Sequence, residues 1–82
     1  RELDRRGCRA EEALHMLDAY LDKASLQRLD QVRIVHGKGT GVLKREVEKH
    51  LRGHPLVSSF RTGELAEGSW GVTVANLGPG PS

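Results

Sequence analysis

The segment Val32-Arg33-Ile34-Val35-His36 runs straight into Gly37-Lys38-Gly39-Thr40-Gly41, and that junction restricts the fold more than any other feature of the chain. The first five residues are β-branched and mostly apolar, which favours a buried strand. The glycines end it. Leu43, Val47 and Leu51 then share one face at i, i+4 and i+8, which predicts a helix from about Gly41 to Leu51. Gly53 and Pro55 stop that helix, as a glycine just past the end and a later proline commonly do. A buried strand, a tight turn and an amphipathic helix in succession commit the chain to an α/β arrangement.

The remaining elements fit around this unit. Arg1 to Arg5 reads as a short opening strand ending at Gly7. From about Arg9 to Leu26, the residues Ala10, Ala13, Leu14, Leu17, Tyr20, Leu21 and Ala24 fall within one arc of a helical wheel. Glu11 and Glu12 complement the dipole of that helix. Val57–Phe60 and Trp70–Leu77 read as two further strands, joined by a polar, mobile hairpin loop over Gly63–Ser69. The order is β-α-β-α-β-β. Right-handed crossovers then put both helices on one face of a small mixed four-stranded sheet, an α/β two-layer sandwich. With 82 residues there is room for one domain, here 1–77, followed by a flexible tail over 78–82.

Composition removes several classes of function. One cysteine, Cys8, excludes an intramolecular disulfide framework and a cysteine-based zinc module, and it fits a reducing, cytoplasmic compartment. No apolar run is long enough to span a membrane as a helix, and no signal-peptide pattern opens the chain. A start at Arg1 without methionine reads as a domain cut from a longer protein. The charge is uneven: residues 31–61 hold seven basic side chains against two acidic ones, on a chain of net charge +2. A basic middle third suggests a polyanion partner, since phosphates are met first by Lys and Arg.

The glycine turn gives that partner a place. Glycines permit positive φ and let a ligand approach the backbone, and the following helix start offers unpaired N–H groups and partial positive charge. Lys38 adds a formal charge. The spacing matches neither a Walker loop nor the dinucleotide fingerprint, because Val42 occupies the third glycine position of the latter. Arg45, Lys49 and Arg52 extend a basic face along the helix, with Lys44 beside them. The plainer reading of that face is a solvated helix exterior. His36 stands at the carboxyl end of a buried strand, where α/β folds place ligands. If the first two strands are neighbours, Asp4 and Arg6 reach the same place, and a carboxylate, an imidazole and two cations form a phosphodiester-cleaving set. The plainer reading there is a surface ion pair between Asp4 and Arg6. His50 reads as core-edge and His54 as a turn residue without a role. His15 with Glu11, Asp18 and Asp22 reads as the wet side of the first helix. Of the three aromatics, Tyr20, Phe60 and Trp70, two take core positions, so stacking on single strands is poorly provided for.

Leu3-Asp4-Arg5-Arg6-Gly7, then His36-Gly37-Lys38-Gly39-Thr40-Gly41-Val42-Leu43-Lys44, then Gly71-Val72-Thr73-Val74 resemble the signature segments of the Smr (small MutS-related) domain. The version with Leu-Asp-x-Arg resembles the one at the carboxyl terminus of the second bacterial MutS paralogue. The resemblance implies the fold of the carboxyl-terminal domain of the third bacterial translation initiation factor. It also implies an endonuclease that nicks DNA, acting on branched recombination intermediates within a larger MutS-like ATPase that suppresses homologous recombination, at the nucleoid of a bacterial cytoplasm. Carried over by position, Asp4, Arg6, His36 and Lys38 form the catalytic set. Gly37, Gly39, Thr40, Gly41, Lys44, Arg45 and Lys49 form the nucleic-acid surface. Magnesium or manganese is the implied cofactor. Arg6 stands where other members carry histidine, so a mechanism needing an imidazole there cannot operate, and Arg5 in place of an apolar residue suits an exposed edge strand.

Two other classes of function compete. A non-catalytic module binding nucleic acid or the ribosome, or an RNA endonuclease in ribosome rescue, would use the same basic helix. A binder of small phosphates would use the turn alone.

Overall fold

The computed structural model describes residues 2–4, 6, 9–39 and 41–78. The elements follow the predicted order: β1 (Glu2–Asp4), α1 (Ala10–Leu26), β2 (Gln31–Val35), α2 (Val42–Arg52), β3 (Val57–Thr62) and β4 (Val72–Leu77). Strands lie in the order β1-β2-β4-β3, so β1 is an edge strand. It runs parallel to β2, and the other two pairings are antiparallel. The expectations for Arg5, Gly7, Cys8, Thr40 and residues 79–82 fall outside the described residues.

Helix α1 buries Ala13, Leu17, Leu21 and Ala24, the stripe that its periodicity requires. It stops at Leu26, and two residues on Arg28 takes a left-handed φ of 58°. There Leu29 N–H donates to the Ala24 carbonyl and Arg28 N–H to that of Ser25, the paired bonds of a Schellman ending. Val47 and Leu51 of α2 meet Leu17, Leu21 and Ala24 over Val32, Ile34, Ala75 and Leu77, and this is the core between helices and sheet. All of these side chains are buried.

The opposite sheet face has no helix, yet Val72 and Val74 are buried. Arg33 and Arg61 flank Val74 in the register on the two neighbouring strands. Val72 is covered by residues 63–71, of which Gly63–Ser69 are expected from the sequence as a mobile hairpin loop. They form two short 3₁₀ turns instead, over Leu65–Glu67 and Ser69–Gly71. Glu64 and Glu67 close a capping box around the first, and Arg61 binds Glu67 through two hydrogen bonds of 2.6 and 2.9 Å. That bond, with the Glu64 backbone N–H, holds the Glu67 carboxyl down at about 2. Gly68, with φ of 112°, passes so close to Val72 that a Cβ there would collide with it.

Trp70 is the second correction. Sequence pattern places it at the head of the last strand, but β4 begins at Val72, and Trp70 sits on the second 3₁₀ turn with 42% of its surface exposed.

Candidate active site

Parallel pairing sets Asp4 beside Val35, so the carboxyl ends of β1 and β2 open at the same point. Arg6 follows Asp4 and turns back on it. Its Nε lies 3.0 and 3.1 Å from the two carboxylate oxygens and its terminal nitrogen 2.7 Å from Oδ2, while the Arg6 backbone N–H donates to Oδ1. The pair is open to solvent, with side chains 66% and 45% exposed. The hydrogen bond from Asp4 and its charge raise the Arg6 guanidinium above its ordinary range. Beneath this fork runs the stem of Arg6, whose Cγ would lie 3.3 Å from a Cβ on Gly37. Gly37 has φ of 80°, so glycine is demanded twice, by conformation and by Arg6.

The turn is tied to the start of β4 by one atom. The Gly71 carbonyl accepts N–H bonds from both His36 and Gly37, at 3.1 and 3.0 Å. His36 is turned inward and only 5% exposed. Its Nδ1 lies 3.0 Å from the Gly37 carbonyl, which can only accept, so Nδ1 carries the proton. Nε2 then accepts from the hydroxyl of buried Thr73 at 2.8 Å. Burial lowers the imidazole below its usual range, with Lys44 adding to the effect against the Gly37 bond and Glu48. The ring is neutral at pH 7, and both nitrogens are used within the fold.

The cations divide into two kinds. Lys38 lies over Gly71 with its head in solvent, and Arg45 and Lys49 are exposed on α2. None of these three forms an ion pair with a described residue. Lys44, expected on the nucleic-acid surface, is instead only 11% exposed, paired with Glu48 and hydrogen-bonded to Thr62 at 3.2 Å. Its ammonium lies 5.8 Å from the centroid of the Trp70 ring. Helix α2 is preceded by Gly41, with φ of 86°, which has no side chain to cap it, and its first turn holds no acidic residue. The positive end of its dipole therefore faces the glycine turn with no acidic side chain in the first turn to oppose it. Gly37, Gly39 and Gly41 thus stand with Asp4, Arg6 and Lys38 at one end of the sheet, and Thr40 lies outside the described residues.

No group of three metal-ligand side chains gathers at Asp4 among the described residues. The one such group is elsewhere. Asp18, His50 and His54 bring their polar atoms within 4.8 Å of one another between α1 and the end of α2. Asp18 Oδ1 lies 2.6 Å from His50 Nε2 and 3.1 Å from His54 Nε2. The Leu56 N–H donates to His54 Nδ1, so His54 Nε2 carries its proton toward Asp18 and has no lone pair to offer a metal. This is a hydrogen-bonded latch. Burial raises the Asp18 carboxyl, but the His50 bond and the two imidazoles outweigh it and hold it below 3.8. The sequence reading put Asp18 on the wet side of α1 and gave His54 no role. Their partners lie 32 and 36 positions apart, beyond any local pattern.

The family model of the Smr domain matches residues 3–78. The chain belongs to the Smr family. Proteins named Endonuclease MutS2 from Staphylococcus carnosus and Staphylococcus epidermidis are each 57% identical to this Smr domain over 76 residues. The match covers 93% of this chain and 10% of either relative, so the chain spans about a tenth of their length. The crystal structure of the Smr domain of Thermus thermophilus MutS2 superposes with a TM-score of 0.93 at 40% identity, covering 96% of this chain and 99% of that one. YdaL, a stand-alone small MutS-related protein from Escherichia coli, shares the fold, with a TM-score of 0.87 at 23% identity over 93% of this chain and 63% of its own. The Smr fold is thus a self-contained unit.

Proposed function

We propose that this Smr domain is a DNA endonuclease domain that nicks the phosphodiester backbone with little base specificity, working on branched recombination intermediates as part of a larger MutS-like ATPase. The observation that carries the reading is the meeting of the Asp4–Arg6 fork with a helix start that has no acidic residue in its first turn and with Lys38, which forms no ion pair with a described residue. A phosphate in the glycine turn would accept backbone N–H groups and Lys38, with Arg45 and Lys49 tracking the neighbouring phosphates. Arg6 would exchange Asp4 for a phosphate oxygen. Asp4, released, takes a proton from the attacking water as the water oxygen bonds to phosphorus. The strand oxygen leaves and is protonated by solvent, while Arg6 and Lys38 stabilise the charge that develops on phosphorus. His36 acts as a positioning residue that fixes the Gly37 carbonyl. Magnesium or manganese would find one carboxylate here, Asp4, and would need phosphate oxygens and water for its other positions.

The test is nicking of supercoiled plasmid by the domain with EDTA, magnesium or manganese, beside Asp4→Asn and Arg6→Ala. Nicking that disappears in both variants supports the reading, and nicking that survives both sinks it. The EDTA lane decides the ion. A second reading, a binding module for nucleic acid or the ribosome, is favoured by the engagement of both Asp4 oxygens with Arg6, which leaves the carboxylate occupied at rest. It predicts binding without cleavage, lost on Lys38→Ala and Arg45→Ala. Either reading predicts affinity that falls steeply with salt.

A further inference from the structure

Trp70 is a large aromatic, 42% exposed, beside the glycine turn, in a chain that has no other tryptophan. Its position is built rather than incidental. Gly68 and Ser69 both hold positive φ, 112° and 55°, and the second is costly for a residue with a Cβ. This backbone lifts Trp70 out of the strand that follows. Gly71, the next residue, is the one whose carbonyl anchors His36 and Gly37, so the indole is fixed to the turn that carries Lys38 and lies against Arg6. The far edge of the ring would touch a Cβ on Gly41 at 3.2 Å, so the glycine at the start of α2 also makes room for it. Lys44, held by Glu48 and Thr62, sets a fixed cation 5.8 Å from the ring centroid.

From this geometry we infer that Trp70 is a stacking platform for an unpaired nucleobase next to the phosphate held in the glycine turn, so that the site selects strands whose bases are free. The inference rests on the reading of that turn as a phosphate site. A base inside a duplex is stacked on its neighbours and cannot offer its face. A base at a gap, flap or junction can. Base–aromatic stacking is indifferent to base identity because every base has a π-face, so it selects strandedness without selecting sequence.

Because Trp70 is the sole tryptophan, its fluorescence reports the contact directly. The domain is titrated with oligothymidylate, with oligouridylate and with a blunt duplex of equal length, and affinities are measured in parallel for Trp70→Ala, Trp70→Leu and Trp70→Phe. Single strands are expected to quench the emission and the duplex to leave it nearly unaltered. Trp70→Ala is expected to weaken single-strand binding by between about 5- and 150-fold and duplex binding by much less, with Trp70→Phe retaining most of the difference. Trp70→Leu keeps apolar bulk without a π-face, so it follows Trp70→Ala if stacking is responsible and Trp70→Phe if packing is. Single strands bound without quenching, or equal losses for both forms of DNA, would overturn the inference. Quenching by oligouridylate as well as oligothymidylate keeps it, with the sugar not read. Lys38→Ala and Arg45→Ala separate the two levels: if they leave all affinities intact while Trp70→Ala does not, the phosphate reading fails and stacking stands.

Discussion

The two ends of α2 are built on opposite plans. At its start there is a left-handed glycine, no acidic residue in the first turn and, nearby, Lys38, which forms no ion pair with a described residue. At its end, Lys49, His50 and Arg52 sit in the last turn, where the dipole favours cations, and His50 and His54 close on Asp18 of α1. One helix of 11 residues thus carries a finished end and an unfinished one. At the finished end His50 and His54 are satisfied within the fold by Asp18 and contribute to its stability. The start has no acidic residue in its first turn to oppose its dipole. The same division explains Lys44, which is near the open end in sequence but belongs by its partners to the closed interior.

This contrast can be broken first at the open end. Asp4→Asn is expected to lower nicking by at least about 100-fold, while the thermal midpoint stays close to wild type, since an exposed ion pair adds little to stability. Plasmid nicking beside a melting curve checks both. At the closed end the pattern should invert. Asp18→Ala removes the shared acceptor of two imidazoles and is expected to cost about 1–2 kcal/mol, a figure reduced because the carboxylate is half exposed. Urea unfolding measures that loss, and DNA affinity should be unmoved.

Acid should weaken the two ends in sequence. His36 is held below its ordinary 6.5, so its contribution is complete above that pH and is lost progressively as pH falls below it, because the unfolded chain takes up the proton first. Asp18, held below 3.8, keeps its contribution until pH falls past that value toward its lower folded one. Stability measured from pH 7 to 5 should therefore decline in wild type and flatten in His36→Gln, whereas Asp18→Asn should alter only the more acidic limb. The smallest effect is expected away from both ends: Arg28→Gly relieves the left-handed residue that closes α1 and should stabilise by about 0.5–1 kcal/mol in the same unfolding assay.

Element order and type were legible because they rest on local periodicity. The expected helix from Arg9 to Leu26 is observed from Ala10, and the expected second helix from Gly41 to Leu51 runs from Val42 to Arg52. The meeting of Asp4 with the glycine turn was also legible, once the first two strands were taken as neighbours. What escaped depends on distant partners. Lys44 carried one local signal, Glu48 four residues on, but Thr62 comes from another strand. Trp70 was absorbed into the apolar run that follows it, since nothing in the pattern shows that Gly68 and Ser69 take left-handed conformations. The latch joins Asp18 to residues more than thirty positions away.

The single carbonyl of Gly71 divides the glycine turn in terms of solvent exchange. The amides of His36 and Gly37 are both bonded to it, so their hydrogens should exchange slowly with deuterium, and only when the start of β4 lets go. The amides of Lys38 and Gly39 have no such acceptor among the described residues and should exchange freely. An anion seated in the turn would announce itself as protection arriving at the second pair of amides while the first pair stays as it was.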